Sequence, residues 1–307
     1  MADEGVDRLA AQIELAESLA ERRAMRSAAL AFATVRSMAV ELAVPADLSQ
    51  AVRRHTRILE TERERYRSLL AAERTGERRF VILGDSLGLP RPDDRDGALG
   101  GAERTYPGFL REAHPDRAIE SLCQRYFTSE QVLQLAIADD ALGRGDDVVV
   151  HIGLNDCANR MFLERERLAL NLVSDDTRER IVEFARRHRR ALIEHLPSYH
   201  YVELPMFAAN LDALAALMTA RGARSLVLAT IILPPERFWA ATPGIHQNFG
   251  RYNQVIRDVA RRHRSTLLDI DRLVWARLGD DVLLPDGMHL SRAGHRLFAD
   301  QLGQLIG

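Results

Sequence analysis

Phe80-Val81-Ile82-Leu83-Gly84-Asp85-Ser86-Leu87-Gly88 decides the reading of this chain. The first four residues form an apolar run of strand length bounded by a glycine, which predicts a buried strand. Apolar side chains at consecutive positions suit a strand covered on both faces, as in a parallel sheet. A serine follows at the strand's C-terminal end. Open α/β sheets place their reactive groups in the crevice outside the carboxyl ends of the strands. Gly84 and Gly88 are expected to let the backbone turn sharply and leave the hydroxyl exposed.

From residue 79 onward, strand and helix patterns alternate. Strands are predicted at 80–84, 117–120, 147–152, 225–232 and 266–270. Helices are predicted near 106–114, 129–142, 176–195, 205–221, 249–263 and 291–305. Such alternation implies βαβ units and a parallel sheet covered on both faces. The span 156–200 is longer than one crossover needs, and its amphipathic, Arg/Glu-rich pattern predicts a helix or two in addition.

Residues 4–43 differ: they hold no proline, and apolar residues recur at helical spacing. Val6, Leu9, Ile13, Ala16 and Ala20 are followed by Ala28, Phe32, Val35, Ala39 and Leu42, with a break expected near Glu21-Arg22-Arg23. Pro45 is expected to end this segment. A second helix capped by Asp47 or Ser49 would carry Val52, Leu59, Tyr66 and Leu70 and end near Gly76. The predicted division is a helical hairpin or small bundle over 1–78 and an α/β domain over 79–307. The helices are assigned to packing, on that domain or in a homo-oligomer, and not to chemistry.

Two more motifs carry chemistry. Val148-Val149-Val150-His151-Ile152 runs into Gly153-Leu154-Asn155-Asp156, and near the C-terminus stands Asp286-Gly287-Met288-His289. A serine hydroxyl is a weak nucleophile at neutral pH and needs a general base. Together with Gly84-Asp85-Ser86-Leu87-Gly88, the three motifs in this order resemble the GDSL or SGNH hydrolase family of esterases, lipases and carbohydrate acylhydrolases. The resemblance covers roughly residues 79–307.

The resemblance implies a three-layer α/β/α domain, flavodoxin-like, with a mostly parallel five-stranded sheet, here joined to an N-terminal helical extension. It implies Ser86 as nucleophile, His289 as base and Asp286 as the carboxylate that orients His289. His295 is the competing base. Asn155 and the Ser86 N–H would hold the oxyanion. A small acyl ester, such as an O-acetylated sugar or glycan, would be the substrate, with no metal or organic cofactor required. The same residues serve acyl transfer to an alcohol, and a non-catalytic binding module on this fold is a third reading.

The family also supplies a glycine N–H to the oxyanion after the second strand. Here that region, residues 119–129, contains neither glycine nor asparagine, which leaves the third donor open. Arg160 is read either as a ligand for an anionic substrate group or as a partner of Asp156. Trp239, in the loop that begins Pro234-Pro235, is read either as a stacking surface or as packing.

Composition narrows the remaining classes. There are 42 basic residues against 44 acidic ones, for a net charge of −2, without the basic excess that bulk nucleic-acid binding needs. Lysine is absent, which excludes Schiff-base, pyridoxal and P-loop chemistry. Cys123 and Cys157 lack metal-ligand partners at the usual spacing and read as reduced thiols. The N-terminus, Met1-Ala2-Asp3-Glu4, is acidic and has no leader-like apolar stretch, so the expectation is a cytoplasmic protein with no membrane span.

Overall fold

A computed structural model describes residues 2–70, 79–91, 104–197, 199–277 and 281–305. The helices are α1 (Ala2–Glu21), α2 (Met25–Leu42), α3 (Pro45–Leu70), α4 (Tyr106–Ala113), α5 (Ser129–Ala138), α6 (Leu154–Cys157) and α7 (Glu164–Ala169), followed by α8 (Asp175–Arg187), α9 (Arg189–His195), α10 (Leu204–Ala220), α11 (Ile245–Arg262), α12 (Ile270–Trp275) and α13 (Arg292–Leu305). The strands are β1 (Arg79–Gly84), β2 (Ala118–Cys123), β3 (Asp147–His151), β4 (Ser225–Ala229) and β5 (Thr266–Leu268). The helix end expected near Gly76 lies outside the described residues.

Two compact units share the chain. One comprises Met1–Ile58, Asn159–His200 and Glu236–Ile245; the other comprises Leu59–Ala158, Tyr201–Pro235 and His246–Gly307. This division does not follow a boundary at residue 78. The apolar faces of α1 and α2 are buried with residues from the inserted helices: Leu9, Ile13, Phe32 and Val35 share a core with Ile181, Phe184 and Leu192. Arg36 ties α2 to the insertion. It is 2% exposed, donates to Met161 O at 2.6 Å and to Tyr199 Oη at 3.2 Å, and lies 3.5 Å from Glu166.

Local signals behave mostly as their chemistry dictates. The break after Glu21 falls at Arg23, whose φ of 59° is a left-handed helix ending, with Ala24 N–H returning to Leu19 O at 2.9 Å. The preceding helix ends at Leu42, short of Pro45 as expected, and Pro45 itself opens α3, because a proline at the first helical position forfeits no intrahelical bond. The helix expected over 176–195 is broken at His188 into α8 and α9, with no glycine or proline to mark the break. Val6 and Val52, expected on apolar faces, are exposed. β2 extends to Cys123, beyond the expected 117–120, while β4 ends at Ala229.

The second unit holds a five-stranded, all-parallel sheet in the order β2-β1-β3-β4-β5. Phe80 and Ile82 of β1 share a core with Phe109, Leu110 and Phe298 from α4 and α13. The alternate residues Val81, Leu83, Val148 and Val150 are equally buried, so both faces are covered. The chain leaves β1 toward β2 on one side and later returns to β3 on the other. That reversal opens a crevice at the carboxyl ends of β1 and β3. Ser86 follows β1 and Asn155 follows β3.

Candidate active site

The turn after β1 is a 3-10 helix, Ser86–Gly88, capped by Asp85, whose Oδ1 accepts the Leu87 N–H at 2.9 Å. Gly84 and Gly88 serve packing and not a left-handed turn, since neither has positive φ. A Cβ on Gly88 would stand 2.4 Å from Cys123 Sγ, and one on Gly84 would stand 2.9 Å from it. Only glycine lets the Ser86 turn lie this close to the end of β2.

Asp286 and His289 are presented by a turn at Gly287, whose φ of 70° favours glycine. The turn is closed by the Leu284 N–H donating to His289 O at 2.9 Å. Ser291 then caps α13 by accepting the Gly294 N–H at 3.2 Å. Asp286 Oδ1 accepts the N–H groups of Met288 at 2.9 Å and of His289 at 3.0 Å. Its Oδ2 lies 2.6 Å from His289 Nδ1. Nδ1 facing a carboxylate carries the proton, which leaves Nε2 as the acceptor. That Nε2 lies 3.0 Å from Ser86 Oγ.

Burial opposes a charge on Asp286, but the hydrogen bonds from the His289 ring and the two backbone N–H groups outweigh it. They hold the carboxyl well below the usual carboxylate range. Arg91, which sequence reasoning passed over, adds its Nη2 at 3.9 Å from Asp286 Oδ2. The aspartate is therefore ionised across the working pH range and keeps the imidazole in one tautomer.

His295, the competing base, is placed otherwise. It is buried, and its Nδ1 accepts the Tyr106 N–H at 3.2 Å. His151 is also buried, its ring stacked 4.6 Å from that of Phe298 and tilted 54° against that of Tyr106 at 5.7 Å. Burial pushes each histidine down to about 3; His151 and His289 charge repulsion adds to the effect on His295. Both rings stay neutral in the native state but take up protons in the unfolded chain below about pH 6.5. A native value below the unfolded one means stability is complete above that pH and is lost as pH falls from 6.5 toward 3. The expected loss approaches about 1.4 kcal/mol per pH unit for each ring. Denaturant titrations at pH 7, 6 and 5 check this; a midpoint that does not move would mean that the rings are solvated.

The other wall of the crevice is the loop between β2 and α5. Asn155, in α6, is 5% exposed and donates from Nδ2 to Phe127 O at 2.9 Å, which fixes the amide's orientation. Asp156 is buried and accepts both the Ser129 N–H, at 2.9 Å, and the Ser129 hydroxyl, at 2.6 Å, so it anchors the start of α5. Residues 124–127 form a turn closed by the Phe127 N–H donating to Gln124 O at 3.2 Å. Its third residue, Tyr126, has φ 64°. Positive φ at that position belongs to a type II turn, which selects glycine or asparagine. The left-handed position after the second strand thus exists, held by a tyrosine at a cost of about 1–3 kcal/mol.

Arg160 and Trp239 fall in the other compact unit. The Arg160 N–H donates to Tyr199 O at 2.9 Å, and the Trp239 N–H donates to Glu236 O at 2.9 Å. Cys123 and Cys157 are buried and not joined in a disulfide. No single helix among the described residues is long and apolar enough to cross a membrane.

Comparison with known proteins agrees with this architecture. The fold is similar to that of a lipase/acylhydrolase from Enterococcus faecalis, 16% identical, covering 75% of this chain and 95% of that one with a TM-score of 0.51. It is also similar to a catalytic mutant of an acetylxylan esterase from Geobacillus stearothermophilus, 19% identical, covering 76% of this chain and 95% of that one with a TM-score of 0.50. None of the curated proteins matches the chain. The GDSL-like Lipase/Acylhydrolase family matches residues 82–297, a span that holds the serine turn, the Asn155 segment and the Asp-Gly-Met-His turn, and the chain belongs to that family.

Proposed function

We propose that the protein is a serine esterase that cleaves a small acyl ester through an acyl-serine intermediate. The observation that carries this reading is the unbroken relay from Asp286 to His289 to Ser86, at 2.6 and 3.0 Å. Ser86 Oγ attacks the acyl carbon as His289 Nε2 takes its proton. The imidazolium then gives that proton to the departing alcohol. Water attacks the acyl-serine by the same path in reverse, and Ser86 is restored. Asp286 holds the ring and stabilises its charge without taking the proton.

Negative charge on the carbonyl oxygen is met by the Ser86 N–H and the Asn155 amide. A donor fixed in advance of the reaction costs no reorganisation when charge develops. We assign the substrate to the esters of small acyl groups, with O-acetylated sugars as the first class to try. Transfer to an alcohol differs only in what attacks the acyl-serine.

A fluorophosphonate probe is expected to add one phosphonyl group, located on Ser86 by peptide mass. Chromogenic esters of increasing acyl length then read the acyl pocket, and acetyl release with and without sugar acceptors separates hydrolysis from transfer. A folded protein that takes no label at Ser86 overturns the reading.

A further inference from the structure

We propose that the C-terminal half of α3 belongs to the catalytic scaffold: Glu62 and Arg63 are positioning residues that hold the 124–127 turn, and through it the Asn155 amide. The inference rests on the esterase reading above. It concerns residues that precede the family-matched span of 82–297. By sequence they belong to an extension assigned to packing alone, yet Leu59–Leu70 falls in the same compact unit as the sheet.

The turn needs a clamp because of what occupies it. Glycine takes a left-handed φ without steric cost, whereas tyrosine relaxes out of it unless its surroundings over-determine the backbone. The residues on both sides of Tyr126 are held. Arg125 donates from Nε to Glu62 Oε1 at 2.8 Å and from Nη2 to Pro90 O at 2.7 Å. Arg63 Nη1 donates to Gln124 Oε1 at 3.0 Å. The same guanidinium lies 5.7 Å from the centre of the Phe127 ring. The Gln124 N–H donates to Gly84 O at 3.2 Å, which fixes the turn beside the serine strand.

The Arg63 contacts end on buried groups, Gln124 and Phe127 being each 5% exposed, while the Glu62–Arg125 pair is half-buried. Tyr66, one helical turn beyond Glu62, packs on the sheet core, and Arg67 pairs with Glu120 of β2, so this part of α3 is itself anchored. The line of force is short. α3 holds residues 124, 125 and 127, and Phe127 O holds the Asn155 amide at 2.9 Å. A clamp released at Glu62 and Arg63 lets Tyr126 relax, moves Phe127 O and lets the amide drift. A displacement of this kind weakens the transition state more than the bound substrate.

The test is a cycle between the clamp and the residue it restrains. The double variant Glu62→Ala, Arg63→Ala is expected to lower kcat by about ten- to a hundredfold, with KM changed less than about twofold. In a Tyr126→Gly background the same double change is expected to lower kcat by no more than about twofold, because glycine takes the left-handed φ without the steric strain that the clamp opposes. Arg63→Lys, which keeps the charge but not the planar fork, should fall between. A simple structural role would instead lower the unfolding midpoint with kcat intact and add equally in both backgrounds. Amide hydrogen exchange over residues 124–129 reads the loop whether or not a good ester is in hand: fast in the clamp double variant, slow again with Tyr126→Gly. If the double variant does not fold, Glu62→Gln and Arg63→Lys report on the same kcat and exchange scale. Equal losses in both backgrounds, or exchange that ignores the clamp, overturn the proposal. Failure of phosphonate to label Ser86 in the unaltered protein would instead overturn the esterase reading.

Discussion

Ser86→Ala is expected to abolish ester turnover, with a loss of thousands-fold or more, the order seen when a triad nucleophile is removed. The substitution deletes one oxygen whose partner in the site is His289 Nε2 at 3.0 Å. Nothing about the turn depends on that oxygen: Asp85 caps it, and Gly84 and Gly88 make room for it beside Cys123. Stability should therefore change by no more than about 1 kcal/mol, the net worth of one hydrogen bond. Steady-state hydrolysis of a short-chain chromogenic ester, beside a thermal melt, measures both. Near-normal turnover in a folded Ser86→Ala protein would remove the serine from the mechanism.

His289→Ala should cost about as much. Nucleophile and base act as one unit, so the double variant with Ser86→Ala should be scarcely worse than either alone. The geometry sharpens the comparison with its neighbour. His289 has the carboxylate on one nitrogen and the serine on the other, whereas His295 has a nitrogen committed to the Tyr106 N–H. Phosphonate labelling gives a direct reading, because it depends on an activated serine and not on substrate fit. His289→Ala should label at least a hundredfold more slowly, in line with loss of general-base assistance. A His289→Ala protein that labels at the unaltered rate would show that another group activates Ser86.

The sheet and the meeting of Ser86, His289 and Asp286 were legible because their signals are local. Consecutive apolar residues in β1 and β3 can hardly be anything but covered strands, and each runs directly into its motif. Asp286 and His289 announce themselves by a separation of three residues with a glycine between. What stayed hidden is held by contacts between distant segments. Tyr126 gives no sign that its backbone is left-handed, since the residue that would signal it is glycine. Glu62 and Arg63 look like any charged pair on a solvated helix until Arg125 and Gln124 are set against them. The burial of α1 and α2 with residues 159–200 depends on partners more than a hundred positions away, such as Arg36 with Met161, 125 residues apart. The helix break at His188 has no local breaker at all.

Ser86 and His289 stand 203 residues apart along the chain. During synthesis Ser86 emerges ahead of His289 and, until that residue follows, lacks the ring nitrogen that stands 3.0 Å from its hydroxyl. On the esterase reading, a polypeptide released before residue 289 lacks the base and is inert, however well its first strands have folded. The relay cannot form until β1 and the turn before α13 occupy the same crevice, so the reactive state arises only from a finished fold. On the esterase reading, reactivity is thereby withheld from every product of the ribosome that ends before His289.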